Sequence, residues 1–221
     1  MAHQAFIGPD GKAWPSATEL THLLPQAWVM SWYKASVKRN GWRGWLRNLA
    51  QSNRGQRIGT EVHDLLESFI NHTPPPPVSG KYDSQAYADA LYDKVKPLVE
   101  DWISTEAHLV NTEYRVHGTT DMIVRLNHRT GLWIGDWKTS AAKDPLSHPV
   151  QLAIYSLGWN EAHPGQAIDQ GFIARVDKKS KGLNVKIDEY QGLKAYYPIV
   201  RALREIWGYV NKPKVAAVEE L

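Results

Sequence analysis

Cysteine is absent from this chain, and its absence excludes several kinds of site. The 221 residues contain no Cys and only three Met and three Phe. Without thiolates the protein can form no disulfide, no thiolate zinc site and no cysteine-ligated iron–sulfur cluster. The absence also agrees with a reducing compartment, so we expect a cytoplasmic location, in a bacterial cell or a phage-infected host.

Long apolar runs and nucleotide-binding loops are missing too. No stretch of 18 apolar residues occurs, and the opening MAHQAFIGPDGKAW lacks the basic-then-apolar pattern of a signal peptide. We therefore expect a protein that is neither exported nor membrane-bound. No GxxxxGK[ST] is present, which argues against an ATP-driven motor. With 43% hydrophobic residues, the length fits one domain, residues 1–221, around one substantial core.

Acidic residues are missing from one long segment. None occurs between Glu19 and Glu61, although the net charge of the whole chain is only +3. Lysines, arginines and tryptophans alternate there, which suits phosphates meeting cations while bases stack on indole rings. A solvated helix with core tryptophans is the alternative. We predict that residues 1–57 form a helical, basic leader contacting nucleic acid through Trp32, Lys34, Lys38, Arg39, Trp42, Arg43, Arg47, Arg54 and Arg57.

Hydrophobic periodicity gives the order of the elements. It predicts helices at 16–38, 59–71, 82–104 (kinked or divided at Pro97), 149–162 and 191–210. It predicts strands near 106–115, 118–126, 131–138, 168–176 and 183–189. Such an order indicates an α/β fold with helices on the faces of one sheet.

Ionisable residues fall on these elements at suggestive positions. On the strand near 131–138 the side chains alternate, so Asp136 and Lys138 share one face while Trp133 and Trp137 take the other. A hairpin centred near Arg129 would place Asp121 across from about Trp137. Two carboxylates at one end of a hairpin repel each other, and a divalent cation is the natural way to hold them together.

Helical spacing adds four more side chains. His63 and Glu67 follow Gly59 at intervals of four, so all three lie on one helical face. His63 could ligate a metal, and Glu67 could orient His63 or a water. Gln151 and Tyr155 are also one turn apart and could meet a substrate strand or Lys138. Each feature alone is common on ordinary protein surfaces, and the prediction depends on their conjunction.

Together these motifs resemble the PD-(D/E)xK nuclease superfamily, in particular its RecB-like branch that includes phage-type exonucleases. Asp121 and Asp136-x-Lys138 fit the core signature, His63 fits the branch's helical histidine, and Gln151xxxTyr155 fits its final motif. Two departures are that Thr120 stands where a proline is usual and that the cysteines of cluster-bearing members are missing. The resemblance implies a restriction-endonuclease-like central mixed sheet flanked by helices, with residues 58–221 as its core.

The resemblance also implies a set of site residues. One or two Mg²⁺ or Mn²⁺ ions would be held by His63, Asp121, Asp136 and the backbone carbonyl of Trp137. Glu106 is a further candidate ligand, and Glu113 competes with it for that place. Lys138 would position or help to deprotonate a water. The implied catalytic residues are Asp121, Asp136, Lys138, Gln151, Tyr155 and Glu67.

The implied function is a metal-dependent DNA exonuclease in recombination, repair or phage DNA metabolism. Its partners would be DNA and a recombinase, a single-strand-binding protein or a helicase. Two alternatives stay open. A structure-selective flap endonuclease would be distinguished by circular and linear substrates. A non-catalytic DNA-binding partner of a helicase would have no need of Asp121, Asp136 and Lys138.

Overall fold

The structure, a computed structural model, describes residues 5–24, 38–39, 43, 53–140, 142–177 and 183–211. A short hairpin, β1 (Phe6–Ile7) with β2 (Ala13–Trp14), precedes a five-stranded sheet of order β3-β4-β5-β6-β7. Its strands are Val99–Asn111 (β3), Val116–Leu126 (β4), Leu132–Lys138 (β5), Gln170–Asp177 (β6) and Asn184–Gln191 (β7). Strands β5 and β6 are parallel and the other pairs antiparallel, which confirms the predicted α/β class with a central mixed sheet.

Helices cover both faces of this sheet. The buried residues of α1 (Ala17–His22), α4 (Ser147–Ala162) and α5 (Tyr197–Val210) form one core, which we call the α4 core. The helical residues 53–71 (α2) and Ser84–Val95 (α3) form the other, the α2 core. Trp133 and Trp137 both lie in the α2 core, as the alternation along β5 predicts. Among the described helices, none is long and apolar enough to cross a membrane.

The predicted helix at 82–104 is wrong beyond Val95. A 3-10 turn, Lys96–Leu98, follows α3, and β3 begins at Val99, well before the predicted strand at 106–115. Pro97 lies in that turn, where its missing N–H and fixed φ end the helix rather than kink it. At the other end of the chain a 3-10 turn, Leu193–Tyr196, replaces the start of the predicted helix 191–210.

The predicted leader is described only in part. Ser16 caps α1, where its side chain accepts a hydrogen bond from the Glu19 N–H while Glu19 accepts one from the Ser16 N–H, a complete capping box. Helix α1 ends at His22, and residues 25–37 of the predicted helix 16–38 lie outside the described residues. The same holds for four predicted contacts to nucleic acid, Trp32, Lys34, Trp42 and Arg47.

Strand β4 changes face in its middle. A β-carbon on Gly118 would lie 2.7 Å from Tyr155 and 3.1 Å from Ala17, both in the α4 core, whereas Met122 packs in the α2 core. Side chains four residues apart on a regular strand point to the same face, so the alternation of side chains must be interrupted between Gly118 and Met122. The buried Thr120 hydroxyl lies at this point and is 3.2 Å from the carbonyl of Gly135, to which it donates. Asp121 follows directly and can therefore be approached by helices of both layers.

Candidate metal centre and active site

Helix α2 brings His63 to the point where β4 changes face. Val62, Leu65 and Leu66 are fully buried against the sheet, which leaves His63 on the flank of the helix, 30% exposed. His63 Nδ1 lies 3.1 Å from Oδ1 of Asp121, whose side chain is 7% exposed. The other carboxylate oxygen of Asp121 accepts a 2.6 Å hydrogen bond from the backbone N–H of Trp137.

Strand β5 supplies an ion pair beside this contact. The Lys138 ammonium lies 2.5 Å from Oδ2 of Asp136, a carboxylate only 3% exposed. The ladder pairs Met122 with Gly135, and the same register places Asp121 beside Asp136 rather than Trp137. The pairing predicted from a turn centred near Arg129 is therefore wrong by one residue, because the hairpin is centred between His128 and Arg129. Trp137 contributes its N–H in this structure, and ligation by its carbonyl stays a prediction.

Helix α4 holds the carboxylate of Asp136 from the other side. Gln151 Nε2 donates to Oδ1 of Asp136 at 3.1 Å and to the Tyr155 hydroxyl at 2.6 Å. Burial, followed by the charges of Asp136 and Asp121, keeps the pKa of the Tyr155 phenol well above its usual value. The predicted target of Gln151 and Tyr155 is Lys138 or a substrate strand. Here the pair orients Asp136.

Strand β3 adds a further carboxylate. Ala107 pairs with Thr120 and Thr105 with Met122, so Glu106 lies opposite Asp121. Ligand atoms of His63, Glu106 and Asp121 all lie within 4.8 Å of one another. The competing candidate, Glu113, lies in the turn after β3, where its carboxylate is 3.0 Å from Arg201. The geometry thus groups Glu106, and not Glu113, with the site.

The charges in this cluster perturb one another strongly. Burial raises the pKa of Asp136 to about 6, against the lowering effect of Lys138. Burial and the charge of Asp121 raise the pKa of Glu106 to about 7. Burial lowers the pKa of His63, but the charge and hydrogen bond of Asp121 outweigh it, and the value reaches about 9. Three carboxylates thus share this cluster with the imidazole of His63 and the ammonium of Lys138, and a bound cation would stabilise the ionised carboxylates.

An open recess of about 320 Å³ leads to the cluster, lined by Gly59, Thr60, His63, Asp64, Glu67 and Glu106. In the described structure Glu67 makes no hydrogen bond to His63, whose partner is Asp121. An effect of Glu67 on a water in the recess stays a prediction. Asp64 also lines the recess and is not among the predicted site residues, although its position three residues before Glu67 places both on one edge of α2.

The remaining predicted contacts to nucleic acid are spread over the described helical residues. Arg54 lies at the start of the described part of α2, with its guanidinium carbon 5.3 Å from the ring centre of Tyr82. Arg57 is exposed on the next turn, and Lys38, Arg39 and Arg43 are exposed as well. Their contact with nucleic acid stays a prediction.

Comparisons with known proteins give likenesses at the level of the fold. No family model matches the chain, and no curated protein matches it in sequence. The solved structure of SSO0001 matches 89% of this chain and 75% of its own, at a TM-score of 0.44 and 15% identity. An alkaline exonuclease from Laribacter hongkongensis, LHK-Exo, matches 88% of this chain and 91% of its own, at a TM-score of 0.36 and 10% identity. LHK-Exo in complex with dAMP covers 69% and 84%, at a TM-score of 0.31 and 12% identity.

Proposed function

We propose that this protein is a divalent-metal-dependent deoxyribonuclease that hydrolyses phosphodiester bonds from DNA ends. One observation carries the proposal. An imidazole and two carboxylates, those of His63, Glu106 and Asp121, place ligand atoms within 4.8 Å of one another. Directly beside them lies a third carboxylate, that of the buried Asp136, which is paired with Lys138.

The donor set fits a hard divalent cation. Carboxylate oxygens suit both Mg²⁺ and Mn²⁺, and the imidazole of His63 favours Mn²⁺ of the two. His63, Glu106, Asp121 and Asp136 would hold the ion, with the carbonyl of Trp137 as a further ligand. A bound ion would polarise the scissile phosphate and make a nearby water more acidic.

Lys138 is the group best placed to act on the phosphate itself. Its side chain is 26% exposed, and its ammonium pairs with the buried Asp136 of the acid cluster. An ammonium there would offset the negative charge that builds on the phosphate oxygens as the P–O bond breaks. It would also donate a hydrogen bond that positions the attacking water.

Gln151 and Tyr155 are positioning residues in this proposal. Gln151 holds one oxygen of Asp136 while Lys138 holds the other, so the carboxylate plane is fixed before substrate arrives. Tyr155 is 3% exposed and fixes Gln151 in turn through their 2.6 Å hydrogen bond. Loss of either side chain should lower kcat while the metal still binds.

The test is digestion of DNA in Mn²⁺ and in Mg²⁺. We expect end-labelled linear DNA to be degraded and closed circular DNA to be spared, with a rate in Mn²⁺ at least equal to that in Mg²⁺. Asp121→Asn and Asp136→Asn should each lower the rate by about 100-fold or more. Glu113→Gln, on an exposed acid paired with Arg201, is the matched control and should stay near the wild-type rate.

Other outcomes would redirect or end the proposal. Cleavage of circular DNA would favour the structure-selective endonuclease, and strict dependence on Mg²⁺ would count against His63 as a ligand. Binding of DNA without cleavage in either metal would favour a non-catalytic partner of a helicase. A cytoplasmic location and a role in recombination, repair or phage DNA metabolism are part of the proposal. The role depends on exonuclease activity.

A further inference from the structure

Three rings meet beside the candidate active site. Phe6 from β1, His108 from β3 and His117 from β4 form what we call the ring cluster. The ring centres are 4.4 Å apart for Phe6 and His117, 5.4 Å for Phe6 and His108, and 5.3 Å for His108 and His117. The function proposed above uses none of them.

The ring cluster lies on the same two strands as the acids. His108 pairs with Thr119, and its Nδ1 is 3.4 Å from the Thr119 hydroxyl. Two residues along these strands, Glu106 lies opposite Asp121, a distance of roughly 7 Å along a strand. The rings therefore border the acid cluster directly.

The ring cluster also lies on the face of the sheet opposite the α4 core. Ala107 and Leu109, on either side of His108, pack against the α4 core, so His108 must point to the opposite face. His108 and Thr119 are both exposed. Helix α2 contacts β3 on the other side of Glu106, where Asn71 accepts a hydrogen bond from Thr105. The recess is lined by Glu106 but by none of the three rings, so the ring cluster lies next to the recess along β3.

The chemistry of the cluster suits a flat, uncharged ligand. In the described structure no carboxylate hydrogen bonds to any of the three rings. Burial, followed by the proximity of His108, lowers the pKa of His117, so that ring is neutral near pH 7. A metal is served less well, because the rings offer only two imidazoles. The described group of three or more metal-binding side chains is the one around His63.

We infer that the ring cluster is a base-stacking subsite for the nucleotide next to the scissile phosphate. This inference rests on the proposed nuclease function and deepens it, since it assigns an unpaired base to one side of the acid cluster. Stacking on aromatic rings accepts every base, because every base has a π face. The subsite would therefore hold a single-stranded or frayed end without selecting its sequence.

His108→Ala tests the inference by removing an exposed ring from the surface. We expect KM for single-stranded DNA to rise about 5-fold while kcat stays within about twofold, the lower end of what one base–ring contact contributes. His108→Trp restores a stacking surface and should return KM to near the wild-type value. His22→Ala removes an exposed histidine from α1 and is the matched control.

A second readout does not depend on cleavage. A short single strand carrying 2-aminopurine, titrated in EDTA, should lose fluorescence on binding to the wild-type protein and to His108→Trp, and less so on binding to His108→Ala. Phe6→Leu, which keeps an apolar side chain in β1, should act in the same direction as His108→Ala.

The two proposals fail in different ways. A wild-type protein that cleaves DNA but shows the same KM and the same quenching after His108→Ala would overturn the subsite and leave the nuclease intact. A wild-type protein that cleaves in no metal would end the nuclease proposal. The EDTA titration would then still report on the rings, and absence of quenching there would overturn the subsite as well.

Discussion

Glu106 adopts an unusual backbone conformation, with φ of 47° in the middle of β3. An L-residue in the left-handed region costs about 1–2 kcal/mol, because Cβ crowds its own backbone. Glycine avoids this crowding but loses about 0.5–1 kcal/mol more than alanine in backbone entropy on folding. The difference between these two costs is about 0–1.5 kcal/mol, so Glu106→Gly should be at least as stable as Glu106→Ala.

Urea unfolding in EDTA at pH 8 measures this difference. Glu189 supplies the matched control, since it is an exposed glutamate in the regular ladder of β7 and is not among the residues with positive φ. Glu189→Gly should be less stable than Glu189→Ala by about 0.5–1 kcal/mol, the ordinary effect of glycine in a strand, and both variants lose the ion pair with Arg129 alike. Both Glu106 variants should lose cleavage alike, because in the proposed function the carboxylate and not the backbone would hold the metal.

Equal behaviour of the two pairs would refute the reasoning. If Glu106→Gly were destabilised relative to Glu106→Ala as much as Glu189→Gly is relative to Glu189→Ala, no strain would be stored at Glu106. If Glu106→Ala retained cleavage, the strain would have no link to the site. A left-handed residue opposite Asp121 would then be a local accident of the sheet.

Three further predictions concern other parts of the site. Gly118→Ala would bring a β-carbon to 2.7 Å from the Tyr155 ring, so it should destabilise the protein by about 1–3 kcal/mol and lower kcat. A wild-type melting temperature together with a wild-type kcat would contradict the close packing of Gly118 against Tyr155. Lys138→Met should destabilise the protein by about 3 kcal/mol at pH 8, where the buried Asp136 is ionised, and far less at pH 5, below the Asp136 pKa of about 6. Equal losses of unfolding free energy at the two pH values, measured in urea, would show that this ion pair is not the cause. Burial lowers the pKa of His148 to about 4, so its neutral form stabilises the folded state fully above pH 6.5, and this stabilisation is lost as the pH falls toward 4. Between pH 7 and pH 4.5 the free energy of unfolding of His148→Gln should therefore fall by about 2 kcal/mol less than that of the wild type. Parallel curves of unfolding free energy against pH would contradict this.

The sequence was sufficient for the parts of the site that depend on local periodicity. Alternation along β5 placed Asp136 with Lys138 and both tryptophans on the other face, because a strand has a period of two. Helical spacing placed His63 on an open face of α2. The hairpin brought Asp121 to Asp136, with an error of one residue in register.

The parts that escaped prediction depend on irregular backbone. The face change of β4 near Thr120 and the left-handed Glu106 break the period of two, so no alternation pattern could report them. For the same reason the choice between Glu106 and Glu113 stayed open. The end of α3 was missed because Pro97 permits either a kink or a stop, and only the packing of β3 on β4 decides between them.

The central claim is that one cation is shared by side chains from three separate elements, α2, β3 and β4. Crystals soaked in Mn²⁺ and measured at its absorption edge test this claim most directly. We predict an anomalous peak within bonding distance of His63, Glu106 and Asp121 that disappears in Asp121→Asn. Absence of a peak there, at a Mn²⁺ concentration that supports cleavage in solution, would contradict the account.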